Sequence, residues 1–454
     1  MSNPTSPPAP RPGSLGQRIL KAGSWSLILV VGGRGLRLAS NLIMTRILVP
    51  EAFGLMAMVG ILIAGFGHFT DIGINRSIAR EPDGDEEHFL HVAWVFKILR
   101  GATIGLGVLL TALALWLLAP AMAPLGSVYA DPRLPLLITL SALTPIIMGF
   151  ESTTYDLAAR HLNMKYIALI EVGGQVLQIV AMVAFAALSP TVWALMAGML
   201  TGAALKSGST HFLFSGPRMT WAWNTEIAGR IWHYGKWLMG SSVFSFVAQS
   251  ADRFVLAALL STTTFGIYAI AQTWIGAGGM IISRISDSVG FPAVSEMIRT
   301  RPDDVPRLYR KFQSVIDIMC ILAFLIVLFG GQTLIDLLYT PVYSEAGRYL
   351  AILSVIFLTL RFNTLNGLIM NLGHSKTMMI ISAIRAVSIC ILLPLTYHTL
   401  GLSAALLVIA VNPLITAVYT LSVLRPFLGN TQIRFDMLWL VLTLVVAGCV
   451  YVYA

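Results

Sequence analysis

Apolar stretches long enough to cross a bilayer recur from one end of this chain to the other, with short polar turns between them. A helix needs about 20 apolar residues to cross, and in lipid only helices and closed barrels satisfy their own backbone hydrogen bonds. The spans fall at 24–46, 53–74, 91–118, 134–156, 166–188, 191–213, 231–259, 265–289, 313–339, 346–370, 376–397 and 401–424, with a thirteenth at 436–454. Only 11% of the 454 residues are charged, where a soluble domain carries about 25%. The sequence therefore describes an all-α polytopic membrane protein. Tight turns are expected at Leu188–Thr191 and Tyr397–Leu400.

The net charge of +9 would suit a nucleic-acid partner, but its placement gives another reason for it. With the N-terminus taken as cytoplasmic, the loop arginines and lysines gather on that side, while Arg46, Arg133 and Arg348 lie on the other. That is the positive-inside pattern, and no nucleic-acid partner is expected. Residues 1–22 open with a polar, proline-rich run and read as a disordered cytoplasmic tail. The first span is too long, and too charged in its middle, to be a cleaved signal. Cys320, Cys390 and Cys449 stand singly in apolar spans, so neither a disulfide framework nor a metal site is expected.

The chain repeats at half its length. Gly23 and Trp25 recur as Gly235 and Trp237, an offset of 212. The same offset relates Arg18 to Arg230, Ala39 to Ala251, Phe53-Gly54 to Phe265-Gly266, Ala57 to Ala269 and Gly67 to Gly279. Six spans separate the copies, so both cross in the same direction. This predicts a 12-helix two-lobed bundle of two six-helix parallel repeats, related by an axis along the membrane normal, plus one additional C-terminal span. The expected divisions are an N-lobe at 23–214, a cytoplasmic linker at 215–229, a C-lobe at 230–424, and a loop with the extra span at 425–454. The linker tryptophans Trp221 and Trp223 suit the interface.

Arg34 and Arg37 interrupt the first span in its middle. Each costs about 2.5–3.5 kcal/mol there on insertion scales, and neither guanidinium loses its proton at relevant pH. A spacing of three sets both on one helix face. That face is expected to line a polar cavity and to receive an anionic cargo. Arg253, Arg361 and Arg385 in spans 7, 10 and 11 are further candidates for cargo contact. Asp252 and Glu171 are candidates for coupling a proton or sodium ion, with structural pairing as the rival reading: Asp252 with Arg253, and Glu151 or Glu171 with Arg160 or Lys165. Arg284, Asp287 and Asp317 are expected near the cytoplasmic ends, where long side chains snorkel. The run Gly373–Thr377 ends like a phosphate loop but has Ser375 where glycine is required. No catalytic residues and no cofactor are expected.

The run Arg46-Ile47-Leu48-Val49-Pro50-Glu51-Ala52-Phe53-Gly54, followed by the Asp71-x-Gly73 turn, resembles the oligosaccharide flippase (polysaccharide transporter) family of the multidrug/oligosaccharidyl-lipid/polysaccharide exporter superfamily. Phe291–Ser295, Leu308–Lys311 and Ala159–Lys165 fit the same resemblance. It implies a V-shaped bundle in the inner membrane, alternating between inward- and outward-open states. It implies undecaprenyl-pyrophosphate-linked oligosaccharide as cargo, carried to the periplasmic leaflet for O-antigen, capsule or exopolysaccharide assembly. Membrane lipids and a polysaccharide polymerase would be its partners, and a monomer is expected. Arg46, Pro50, Gly54 and Asp71 form a turn that is either a plain hairpin or a gate, the gate requiring Arg46 to pair with an acid across the lobes. A cation-coupled small-molecule or multidrug exporter of the same superfamily, and a membrane-bound glycan polymerase or ligase, are the alternatives. The short loops weigh against the last.

Overall fold

The computed structural model describes residues 15–214, 216–286, 296, 300, 305–372 and 374–453. Asp287, Phe291–Ser295 and most of the tail lie outside the described residues, as does the side chain of Trp237.

The helices in the first half are α1 (Leu15–Thr45), α2 (Pro50–Phe69), α3 (Glu87–Met122), a broken α4, α5 (Met164–Leu188) and α6 (Val192–Phe212). The second half holds α7 (Thr225–Leu259), α8 (Thr262–Ile285), α9 (Val305–Leu338), a broken α10, α11 (Ser375–Leu400), α12 (Leu402–Asn430) and α13 (Gln432–Tyr453). Among the described residues ten stretches are long and apolar enough to cross a membrane, or eleven with the bent α4. That is fewer than the thirteen expected. Helices α6 and α7 are long enough but mix in charge, such as Lys206, Arg230, Lys236, Asp252 and Arg253.

Local chemistry sets the boundaries. Pro50 opens α2, where its missing N–H is no loss. Asn224 caps α7 by accepting from the Glu226 and Ile227 amides at 2.9 and 3.1 Å. The turn expected at Tyr397–Leu400 falls one residue later: α11 runs through Leu400 and reverses at Gly401, whose φ is 85°. A second left-handed glycine, Gly429 (φ 75°), bends α12 into α13. Span 4 is not one helix but Leu134–Ser141, Leu143–Gly149 and Thr154–Arg160, bent by 60°. Span 10 is likewise three pieces, Glu345–Leu353, Val355–Leu360 and Phe362–Asn371.

Packing follows the same scheme in each half. Helix α1 lies on α5 as α7 lies on α11, α5 on α6 as α11 on α12, and α3 on α4 as α9 on α10. The halves meet along α2 and α8. The main core runs through both, from Met44, Phe53 and Leu55 to Phe265, Tyr268 and Phe357. Two smaller clusters lie at the other end. One gathers Val305, Tyr309, Phe362 and Leu421; the other gathers Ile72, Ile78 and Phe89 with Ile227 and Ile231 of α7.

Candidate cargo site between the two halves

Helix α1 packs mainly on α5, with Gly32 and Gly33 facing Val172 and Gln175. Arg34 and Arg37 stand exposed away from that contact. Neither has an ion-pair partner among the described residues. Arg34, Arg37 and Asn41 follow one another at spacings of three and four, so they share one stripe. Asn41 Oδ1 accepts a hydrogen bond from Tyr339 at the far end of α9 (3.1 Å). Further along, the Leu48 carbonyl accepts from Tyr343 at 2.8 Å. The stripe that carries both arginines therefore looks across at the second half. The offset of 212 sends it onto Phe246, Gln249 and Arg253 of α7, so Arg253 stands on the matching stripe, half-buried.

The end where α1 turns into α2 is closed by contacts between the halves. A Cβ on Gly54 would meet the Thr262 carbonyl, and one on Gly266 would meet the Pro50 carbonyl. Each member of the first pair is offset by 212 from a member of the second. Reciprocal contact of this kind is what a two-fold interface produces. Thr263 donates to Glu51, again 212 residues apart, at 2.5 Å, and Tyr129 donates to the Phe254 carbonyl at 3.1 Å. Arg46, which the gate reading requires to pair across the halves, is exposed and has no ion pair among the described residues. The condition for a gate is therefore absent in this conformation, and glycine packing and the Glu51–Thr263 bond hold this end. Asp71 makes the turn after α2, its Oδ1 accepting from the Gly73 amide (3.1 Å) while Gly73 adopts φ 62°. Its Oδ2 accepts from Ser242 of α7 at 3.4 Å.

At the opposite end, near the linker, α7 is tied to the first half. Arg230 reaches Asp83 (2.5 Å) and Glu81 (3.4 Å), and Arg80 stacks on Tyr234 at 4.3 Å. Asp83 lies below the ordinary carboxylate range, chiefly because of the hydrogen bond from Arg230. Arg80, Glu81, Arg230 and Tyr234 border an open cleft of about 700 Å³ that Arg34, Arg37 and Arg253 do not line. Phe246 stacks on His68 (5.4 Å) and presses on Gly65.

Two ionic clusters occupy the bundle. In the first half, Lys97 pairs with Asp156 (3.1 Å) and Glu151 (3.5 Å), and Lys206 with Glu171 (2.5 Å). Glu171 also accepts from Tyr155 at 2.8 Å. The expected partners Arg160 and Lys165 are not used: Arg160 instead donates to the carbonyls of Ile78 and Glu81. In the second half, Arg361 is only 1% exposed and bonded to Asp317 and Asp436. This corrects two expectations. Arg361 is sealed from any cargo, and Asp317 lies twelve residues into α9, buried and paired rather than snorkelling. Arg385 donates to Thr416 (2.8 Å) and to the Pro413 carbonyl (3.4 Å), tying α11 to α12. Asp252 accepts from Tyr268 at 2.7 Å, and the neighbouring Arg253 acts on it through its charge and its backbone amide. Lys206 and Asp436 were not singled out in the sequence, although a charge within an apolar run was the signal that marked Arg34.

This fold has solved relatives. The bundle matches an inward-facing multidrug resistance MATE family transporter of the MOP superfamily at TM-score 0.64, with 15% identity over 90% of this chain and 95% of that one. It matches the lipid II flippase MurJ in an inward closed conformation at 0.68, with 13% identity over 94% and 97%. In sequence it is 23% identical to the succinoglycan biosynthesis transport protein ExoT of Rhizobium meliloti (strain 1021), over 68% of this chain and 62% of that protein. It is also 23% identical to the lipopolysaccharide biosynthesis protein WzxC of Escherichia coli (strain K12), over 68% and 60%. The chain thus spans about three fifths of the length of the curated relatives it matches. The family model described as polysaccharide biosynthesis protein matches residues 43–348, which takes in the α1–α2 turn, both ionic clusters apart from Asp436 and Arg361, and the contact between the halves. The chain belongs to the polysaccharide biosynthesis protein family, and the resemblance seen in its first turn is thereby met.

Proposed function

We propose that this protein carries a polyprenyl-pyrophosphate-linked oligosaccharide across the inner membrane by alternating access, from the cytoplasmic to the periplasmic leaflet, for surface polysaccharide assembly. The observation that carries the reading is the stripe of Arg34, Arg37 and Asn41, unpaired along its charged part and turned toward the second half. A pyrophosphate offsets the cost of two such arginines through charge-assisted bonds, with Arg253 reaching it from the opposite wall. The glycan then occupies the hydrated space and the polyprenyl chain stays in lipid. The positive-inside bias supports a cytoplasmic linker end, and the matched packing supports lobes at 23–214 and 230–424. An inside-negative potential favours outward movement of an anion by about 2.3 kcal/mol per charge per 100 mV. Glu171 and Asp252 are the candidates for an added ion, and Glu171 would first have to release Lys206.

The test is translocation in vesicles containing the purified protein, with a polyprenyl-pyrophosphate oligosaccharide in the outer leaflet. Translocation that is inhibited by inorganic pyrophosphate and by polyprenyl pyrophosphate supports the reading. Export of organic cations with no movement of the lipid-linked glycan would replace it with the small-molecule exporter.

A further inference from the structure

We propose that Asp436 of α13 holds a proton in this conformation, so that the seat of the last helix on α9 and α10 is a proton-binding site. The inference rests on a count of charges and of donors, and it does not depend on the cargo.

Asp436 is the single acid of α13, in a mostly apolar helix with Arg434 near its start. It is 0% exposed, Arg361 is 1% exposed and Asp317 6%. Arg361 Nε and Nη2 donate to the two oxygens of Asp317 at 2.8 and 3.2 Å, and Gln313 adds a third donor at 2.8 Å. That is the two-pronged geometry of an ionised carboxylate against a guanidinium. Asp436 differs. Arg361 Nη2 (2.8 Å) and Gln432 Nε2 (3.3 Å) both donate to its Oδ1, while its buried Oδ2 has no partner. Arg361 Nη1 is also buried without a partner.

One guanidinium, which keeps its charge, faces two carboxylates. Were both ionised, a net negative charge would lie sealed from water, with one oxygen meeting no donor. Burying such a charge is far more costly than burying a neutral acid. Asp317 has the donors an anion needs and Asp436 does not, so the proton belongs on Asp436 Oδ2. Among the described residues no cation besides Arg361 bonds Asp436 directly. From α9 come Tyr309, Arg310, Asp317 and Cys320, from α10 Arg361, and from α13 itself Gln432; Tyr419 and Arg425 of α12 are exposed. Phe362, Phe435 and Trp439 surround the guanidinium at 5.5, 5.8 and 4.7 Å and keep it dry. Gln432 also accepts from Arg310 at 3.2 Å, and Arg310 is exposed at the linker end. A single side chain thus separates the site from solvent. Loss of the proton leaves an uncompensated charge beneath α13 and loosens its seat.

The test is infrared spectroscopy of the full chain in detergent at neutral pH, comparing wild type with Asp436→Asn. The expected difference is loss of one neutral-carboxyl band, which shifts rather than vanishes in Asp436→Glu and persists in Glu171→Gln. Asn mimics the protonated acid without having to take up a proton, so Asp436→Asn should match wild type below the unfolded aspartate value of about 3.9 and melt above it at neutral pH. It should also lack the wild type's decline in melting temperature as the pH rises from about 4 through the folded value of Asp436. Should Asp436→Asn fail to fold, the wild-type neutral-carboxyl band and its shift in Asp436→Glu decide the matter alone. Loss of an ionised-carboxylate band in place of the neutral one would overturn the proposal, as would a wild type with no neutral-carboxyl band. Failure here leaves the translocation reading untouched, because neither measurement involves cargo.

Discussion

Helices α1 and α7 are copies of one element, yet the structure uses them differently. The first turns of α7 enter the core of the opposite half through Ile227, Ala228 and Ile231. Gly235 presses on Ile72, and Arg230 is held by Asp83. Helix α1 makes no comparable attachment to the second half near the linker end among its described residues, and packs chiefly on α5. The contrast is sharpest at one pair of positions. Arg34 is exposed on α1, and 212 residues later Phe246 is buried against Gly65 and His68. Where protein covers the stripe, the residue is an aromatic that gains by losing water. Where nothing covers it, the residue is a cation that requires water or an anion. The repeat supplies the same helix twice, and the side chain at this position decides whether it serves as a strut or as a wall of the site.

Exchanging the two residues tests that contrast most severely. Phe246→Arg places an unpaired charge in a packed contact and should cost about 3–5 kcal/mol, read as loss of folded protein in detergent. Arg34→Phe should fold as well as wild type and move no cargo. Equal folding of both variants would show that the two environments do not differ. Arg34→Gln and Arg37→Gln should each lower translocation roughly ten- to hundredfold, from the loss of about 1.5–3 kcal/mol of charge-assisted bonding. Melting temperature should be unchanged. Lysine should restore part of the rate, because it keeps the charge without the planar fork. A fall in melting temperature that accounts for the lost transport would remove both arginines from the cargo site.

The next effect lies where the two copies meet. Gly54→Ala and Gly266→Ala each drive a methyl into the other helix's backbone, at about 1–3 kcal/mol. Because the contact is reciprocal, the two substitutions should loosen the same end by similar amounts. The double variant should cost less than their sum, since the first already parts α2 from α8. Solvent labelling of a cysteine placed at Thr263 would report the opening. Additive effects, or an effect at one glycine alone, would mean that the axis does not pass there.

Much of this was readable in the sequence, and for physical reasons. Hydropathy located the helices because lipid allows few alternatives. The offset of 212 was legible partly because Gly54 and Gly266 approach each other too closely for any side chain. The breaks in α4 and α10 were not legible, because apolar composition continues through them. In α4 the break follows from distant bonds: Thr210 accepts from the Ser152 amide at 3.0 Å, and Thr153 donates to the Leu90 carbonyl at 3.1 Å. The polar run Glu151–Thr154 was its only local trace. Arg361 marked itself as unusual, but its partners lie 44 residues before it and 75 after it. A charge in an apolar span announces that compensation exists; only the fold tells whether it comes from cargo, as proposed for Arg34, or from buried acids, as for Arg361.

The smallest effect concerns the tie that α7 has and α1 lacks. Asp83 is held below the ordinary carboxylate range by Arg230, and both side chains are partly exposed, at 25% and 36%. A group with a depressed folded value adds stability that is fully present above its unfolded value, about 3.9 for aspartate. That stability disappears as pH falls through the lower folded value. The tie is therefore intact across the physiological range and weakens only in strong acid. Exposed pairs contribute about 0–1 kcal/mol, so Asp83→Asn should lower the melting temperature slightly at pH 7. The gap from wild type should close once the pH drops below the carboxylate range. If instead the gap widened in acid, or appeared only at alkaline pH, the Arg230–Asp83 bond would not be what fastens α7 to the first half. The packing of Gly235 on Ile72 and of Phe246 on Gly65 would then bear that attachment alone.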